Sequence, residues 1–356
     1  MPESTTAPST ADGSAPGATG ASGAADRGTT ASPASKPWLK VFGVIVGLTL
    51  AVSAMVLAFL APAINSGPHG LPIAISGPAA ATEPLRAALD QKQPGAFEFT
   101  ERETLDSVAD AVHDRDAVGG ISITGAGTAT ITVAGGAGAP YGPLMRGIGT
   151  ALEAQGLKVS IDDIAPLTAE DPNGSGLAAL GLPLAFGGMI SAVLLSTLLR
   201  HRPVHRLIGS VLASIAVGFA VTAILQFGFG SIDGDYVLTS LALGLGVSAI
   251  SLFVLGMESL FGYAGLGIGG ITMMFIANPL AGMASGWQWL PDPWGFIGQL
   301  LPIGASGTLL RSTAFFDGHG TGMPVLVLGC WAALGILLVG ASAIRKRRAR
   351  ARARAV

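Results

Sequence analysis

What most restricts this chain is a set of six charge-free runs: Val41–Ala61, Gly176–Leu199, Leu207–Gly230, Tyr236–Gly256, Leu260–Gly282 and Met323–Ile344, each 21 to 24 residues long. A helix rises about 1.5 Å per residue, so about 20 apolar residues cross roughly 30 Å of hydrocarbon. Each run is long enough to span. In lipid only a segment that closes its own backbone hydrogen bonds persists, so every run is expected to be a helix. Composition agrees: 12% of the residues are charged, against about 25% in soluble domains, which leaves too little polar surface for a water-facing globule of 356 residues. The first run exceeds the apolar stretch of about 7 to 15 residues in a secretory signal, so it is read as a retained span and not as a leader cleaved near Ala61-Pro62-Ala63.

Lys and Arg near span ends mark the cytoplasmic side. Lys36 and Lys40 precede the first run, Arg200, Arg202 and Arg206 lie between the second and third, and seven basic residues from Arg345 to Arg354 follow the last. Six spans then place both termini in the cytoplasm, at a plasma membrane. The expected fold class is an α-helical multi-pass membrane protein in a 1+5 arrangement, with a small extracytoplasmic α/β domain between spans one and two. Its parts are a disordered tail (1–37), a first span (38–61), the α/β domain (62–175) and a five-span membrane domain (176–344) with a non-spanning outer element at about 287–316, then a basic tail (345–356). The first tail is almost wholly Ala, Ser, Thr, Gly and Pro, too poor in apolar surface to offset the entropy of ordering. The second reads as a topology anchor that attracts anionic lipid. A net charge of −2 gives no uniformly basic surface for nucleic acid.

The segment Pro62–Ser175 carries 14 acidic and 6 basic residues and alternates strand-like with helix-like patterns. Its clearest helix is expected to start at a capping box, Thr100-x-x-Glu103, with Leu105, Val108, Ala109 and Val112 along one face. Strands are expected at Leu71–Ser76, Ala96–Thr100, Val118–Thr124 and Thr128–Ala134, the last two joined through Gly125-Ala126-Gly127 as a hairpin. A second helix near Pro143–Gln155 should end at Gly156.

The chemistry-bearing residues are few. The lone Cys330 excludes an intrachain disulfide and zinc clusters built on paired cysteines. No G-x-x-x-x-G-K-[ST] occurs, so ATP phosphates are not cradled by a P-loop here. Gly265-x-Gly267-x-Gly269 lacks the preceding strand of a nucleotide-binding unit and reads as close helix packing. Gly304-Ala305-Ser306-Gly307 resembles the G-x-S-G of intramembrane serine proteases, but a serine nucleophile needs a base. The one nearby histidine, His319, sits in a loop and not on a span. His201 and His205 are four apart with Pro203 between them, which spoils a metal-binding helical face. Glu258 is expected to reach solvent at the cytoplasmic interface. The chain is therefore not read as an enzyme, and no catalytic, cofactor or metal residue is assigned.

One span, a large outer segment and five clustered spans together resemble the ABC-2 type membrane permease family, in particular its YhgE/Pip (phage infection protein) branch. Two stretches carry the resemblance: Phe97–Thr124, where Glu103-Thr104-Leu105-Asp106-Ser107-Val108-Ala109-Asp110 leads into Gly119-Gly120-Ile121-Ser122-Ile123, and Trp287–Phe316, where Gln299-Leu300-Leu301-Pro302-Ile303-Gly304 precedes Thr308-Leu309-Leu310-Arg311. The strand Leu71–Ser76 departs from relatives by lacking the Asn and Asp that often follow it. The resemblance implies a permease-type subunit that exports a lipophilic or cell-surface-destined substrate, is powered by a separate cytoplasmic ABC-type ATPase, and forms a homo- or heterodimer in membrane lipid. It implies that Arg200, Arg202 and Arg206 lie where the ATPase docks. The family's proline-bearing non-spanning element before the last span corresponds to a candidate outer gate at Pro302, Gly304 and Arg311; the residues themselves read Leu301–Phe316 either as a short amphipathic or re-entrant element with Arg311 snorkelling to headgroups or as a plain surface loop. The alternative is a non-transporting scaffold or surface receptor acting through its outer domain.

Overall fold

The computed structural model describes residues 37–125, 127–200 and 202–354; all of the expected disordered tail except Pro37, which begins the first helix, lies outside them. Helix α1 (Pro37–Ile64) precedes a sheet-containing segment made of β1 (Leu71–Ser76), α2 (Ala79–Lys92), β2 (Phe97–Glu101), α3 (Leu105–His113), β3 (Gly119–Thr124), β4 (Thr128–Val133), α4 (Tyr141–Glu153) and β5 (Lys158–Asp163). The strand order is β2-β1-β3-β4-β5. Only the β3–β4 pair is antiparallel, as the short glycine-bearing turn between them requires. Leu71, Ile73 and Ile75 alternate toward one face, where they join Met145, Ile148 and Leu152 of α4. Ala74 faces the other way, onto Val108, Ala111 and Val112 of α3. The sheet is thus covered on both sides.

Two boundaries differ from expectation. Thr100 and Glu101 pair with Ala74 and Ile75 in the β1–β2 ladder, so they cannot also start a helix. The capping box forms instead at Thr104, whose hydroxyl accepts from the Ser107 backbone N–H at 3.1 Å while the Ser107 hydroxyl accepts from the Thr104 N–H at 3.0 Å. The helix expected near Pro143 begins at Tyr141 and ends at Glu153, with Gly156 in the left-handed region at φ 91°. Helix α2 and strand β5 were not anticipated.

Among the described residues, five helices are long and apolar enough to cross a membrane: Trp38–Ile64, Gly181–Leu198, Pro203–Gly228, Tyr236–Phe261 and Gly322–Arg354. This fits a multi-pass membrane protein. Four of them belong to α6 (Gly181–Leu198), α7 (Pro203–Ala223, continued by a π-helical turn at Ile224–Gly228), α8 (Tyr236–Phe261) and α12 (Gly322–Arg354), and a one-turn α5 (Ser175–Ala178) precedes them. The run Leu260–Gly282 becomes α9 (Tyr263–Ile271) and six π-helical residues, Thr272–Ala277. It is shorter than the other five. Contacts nevertheless carry it along α8 from Gly265 beside Met257 to Gly269 beside Val254, and then to Asn278 beside Gly181 at the start of α6.

Helix α8 is the hub, with 78% of its most apolar 18-residue stretch buried against 33% or less in the other four. Small residues permit this. Gly218 of α7 meets the backbone of Ser240 and Gly244, and Gly335 of α12 lies on the backbone of Leu252. The hydroxyl of Ser210 donates to Ser251 at 2.8 Å, and Ser342 donates to the Ser259 carbonyl. Ser210, Ser251 and Ser342 thus find partners inside the bundle, as an apolar surround favours, whereas the buried hydroxyls of Thr222 on α7 and Ser240 on α8 have none among the described residues.

Candidate functional site

Before the last long helix, the chain forms α10 (Trp294–Gln299) and α11 (Pro302–Phe315). Pro302 at the first helical position lacks the N–H that would be orphaned there. From that end α11 runs beside the Tyr236 half of α8. Ser306 lies against Gly246, the Thr239 hydroxyl donates to the Thr313 carbonyl at 3.3 Å, and Gly234 touches Thr313 and Ala314. Gly246 is ten residues in from Tyr236, or about 15 Å along the helix axis. The α10–α11 hairpin therefore reaches about halfway along α8. Its tip is held where backbone leaves the helix: the Trp331 indole donates to the Leu300 carbonyl at 2.8 Å, and the Thr308 hydroxyl to Gln299 Oε1 at 2.6 Å. Gly304 packs on the Gly298 carbonyl, so any side chain there would overlap it.

The other end of α11 enters the sheet segment. Phe316, 1% exposed, belongs to the α3 face of the core beside Ala74, Val108 and Val112. Arg115, just past α3, sits in the left-handed region at φ 67°. Its Nη1 donates to the Thr308 carbonyl at 3.0 Å and to the Ser312 hydroxyl at 2.8 Å, while the guanidinium stacks 5.0 Å from the Phe316 ring centre. Burial, and then the neighbouring Arg311 cation, pull the Arg115 pKa down to about 10, which still leaves it charged at neutral pH. Tyr141, buried against Trp289, donates to Gln288 Oε1 at 3.2 Å. Burial pushes its phenol above the ordinary range. Among the described residues neither Arg115 nor Arg311 forms an ion pair, so two desolvated cations lie close together at this junction.

No family model, curated protein or solved structure matches this chain.

Of the expected gate residues, Pro302 and Gly304 lie at the deep end of α11 and Arg311 near its junction end. Arg311 departs from expectation. It does not snorkel outward but is 4% exposed, with its guanidinium on the Met283 carbonyl, because the 278–290 loop folds over it and supplies an acceptor. At the opposite end of the bundle, Arg200 and Arg202 are exposed. Arg206, the third residue of the expected docking loop, is not. It is 6% exposed and pairs with Glu258 of α8 while donating to the Ser196 hydroxyl at 2.6 Å. Glu258 is accordingly held by a buried partner instead of standing free in solvent. His205 is exposed, and His201 lies outside the described residues. Ser306 is buried and donates to the Pro302 carbonyl of its own helix at 2.6 Å, while His319 bonds Asp114.

An apolar cleft of about 810 Å³ runs between Ala54, Leu57, Ala58 and Ala61 of α1 and Phe275, Ile276, Pro279 and Trp294. The residue most clearly missed in the sequence is Arg115. The signal was a basic residue inside an acid-rich turn, His113-Asp114-Arg115-Asp116, with no carboxylate at helical spacing that it alone would serve.

Proposed function

We propose that this chain is the permease-type membrane subunit of an ABC-2-like exporter, with six spans, both termini cytoplasmic in a plasma membrane, and the sheet segment outside. A separate ABC-type ATPase supplies the energy and a second permease copy or homologue completes the path. The observation that carries the reading is the α10–α11 hairpin. One end reaches the middle of the central helix, and the other is shared with the core of the sheet segment through Phe316 and Arg115. Non-helical backbone at membrane depth persists only where protein buries it or water lines it, and such elements recur where membrane proteins pass or bind a substrate. The apolar cleft beside α1 supports a lipophilic substrate. With Arg206 turned inward, ATPase contact falls to Arg200 and Arg202.

The scaffold alternative requires a sheet segment that acts by itself, whereas part of its core is Phe316. Affinity purification of the full chain from its own cell membranes, cross-linked before mild detergent extraction, should recover an ABC-type ATPase. Arg200→Glu with Arg202→Glu should lose it. Repeated recovery of the intact chain without any ATPase refutes the proposal.

A further inference from the structure

Next to the junction, two loops more than 200 residues apart in sequence bring metal-binding side chains together. His113 ends α3 and Asp114 follows it. His319 lies in the loop between α11 and α12. One ligand atom from each of the three falls within 4.8 Å of the others. The imidazole rings of His113 and His319 meet edge to face at 4.4 Å. His319 Nδ1 is 2.6 Å from Asp114 Oδ1, and His113 Nε2 is 3.5 Å from a fourth candidate, Asp317 Oδ2. Both loops hold unusual backbone at this point. Arg115 and Asp317 are the non-glycine residues at positive φ among those described, at 67° and 50°, and Gly318 and Gly320 adopt left-handed values as well.

We propose that His113, Asp114 and His319, with Asp317 or water completing the shell, form a zinc-type divalent metal site that staples α3 to the loop before the last span. Two imidazoles and carboxylate oxygen make a borderline N/O donor set, which suits zinc and its first-row neighbours and not calcium or magnesium. Zinc holds such ligands at about 2.0–2.2 Å, so a tetrahedral shell sets ligand atoms about 3.4 Å apart. From the observed spacing, the 2.6 Å Asp114–His319 contact has to open and the other separations, within 4.8 Å, have to close. The ion takes the Nδ1 lone pair of a neutral His319 imidazole whose ring proton then sits on Nε2, and its charge offsets that of the Asp114 carboxylate. The site is independent of the transport reading, since a receptor or scaffold would be stapled equally well.

The test uses the full chain without a polyhistidine tag, purified in detergent and stripped with EDTA. Titration with Zn²⁺ by calorimetry should give one saturable site per chain, and Co²⁺ should give the visible absorption of a tetrahedral ion. Loss of an outer-shell partner alone costs about 10- to 100-fold in metal affinity, so removing two direct ligands in His113→Gln with His319→Gln should weaken Zn²⁺ binding by more than about 100-fold, and weakening the ligand in Asp114→Asn by at least about tenfold. His69→Gln with His205→Gln should change nothing. A measurement on the unaltered protein needs no variant to fold: Zn²⁺ should slow diethylpyrocarbonate modification of His113 and His319, located by mass spectrometry, and leave His69 and His205 as reactive as before. No saturable binding, binding that survives the double variant, or equal modification with and without Zn²⁺ overturns the proposal and leaves a plain hydrogen-bonded pair.

Discussion

Removing one member of the Arg206–Glu258 pair should cost far more than removing both. The Arg206 side chain is 8% exposed and that of Glu258 21%, so either residue left alone is a desolvated charge inside a bundle of apolar helices. Breaking a buried pair costs about 3–5 kcal/mol. Glu258→Leu should fall near the low end, about 3 kcal/mol, because Arg206 keeps its bond to the Ser196 hydroxyl at 2.6 Å. Arg206→Met should cost about 2 kcal/mol, since the more exposed Glu258 regains some water. The double variant replaces both charges by side chains of similar bulk and should lie within about 1 kcal/mol of the parent. At about 2–4 °C per kcal/mol, Glu258→Leu should lower the unfolding midpoint in detergent by about 6–12 °C and the double variant by no more than about 4 °C. All four proteins need one scan rate, because such unfolding is rarely reversible. A double variant as unstable as the sum of the two singles means that the charges do not depend on each other, and the account of this buried pair fails.

Gly335→Ala should cost about 1–3 kcal/mol, because its methyl group would overlap the Leu252 backbone. Gly340→Ala on the same helix, with open space around it, should be neutral or slightly stabilising; thermal melts of the pair separate packing from propensity. For Asp171, burial alone would raise the pKa, but the Gly176 and Ser175 N–H groups, the Ser231 hydroxyl and the Gly174 N–H outweigh it and hold the carboxyl below its ordinary value. Its contribution is therefore complete above the unfolded carboxylate pKa of about 3.9 and is lost as pH falls through the lower folded value. Asp171→Asn should destabilise by about 1 kcal/mol at neutral pH, a difference that disappears in strong acid when melts are compared across pH. Arg115→Gly should be milder than Arg115→Ala by about 1 kcal/mol, since glycine tolerates φ 67°. Both should raise amide exchange over 308–316, and unchanged exchange there would sever the proposed link to α11.

The helices were legible because lipid-length, charge-free runs have few other outcomes, and the strands because alternation at Leu71, Ile73 and Ile75 marks one buried face. What stayed hidden depends on pairs far apart in sequence. Glu258 looks like an interfacial carboxylate until α7 sets Arg206 beside it, and Arg311 looks like a snorkelling residue until the loop at Met283 closes over it. The capping box at Thr100 failed for a related reason. A local motif competes with a ladder, and the β1–β2 pairing claimed Thr100 before a helix could. The run Leu260–Gly282 shows the limit of counting residues, since six of them widen into π geometry and the helix shortens. Nothing in the pattern of α8 distinguishes it from its neighbours. Its burial comes from its own Gly244, Gly246 and Gly256 meeting glycines and serines on α7, α11 and α12.

The placement of Arg115 suggests why the half-length helix is kept. Alone, α11 would leave Pro302 and the Leu300–Leu301 turn halfway along the bundle with little to hold them, and polar groups there would be free to drift toward water. Three anchors oppose this: Trp331 at the tip, Thr239 on Thr313 near the other end of the helix, and Arg115, on Thr308 and Ser312, with Phe316 at the junction. The first two belong to the bundle and the third to the sheet segment. A displacement of the sheet segment along α11 must break the two Arg115 hydrogen bonds and withdraw Phe316 from its core before the tip can move. The sheet segment is therefore coupled to the hairpin through Arg115 and Phe316, and under the transport reading a force on the sheet segment is passed along α11 toward the turn at Leu300–Leu301.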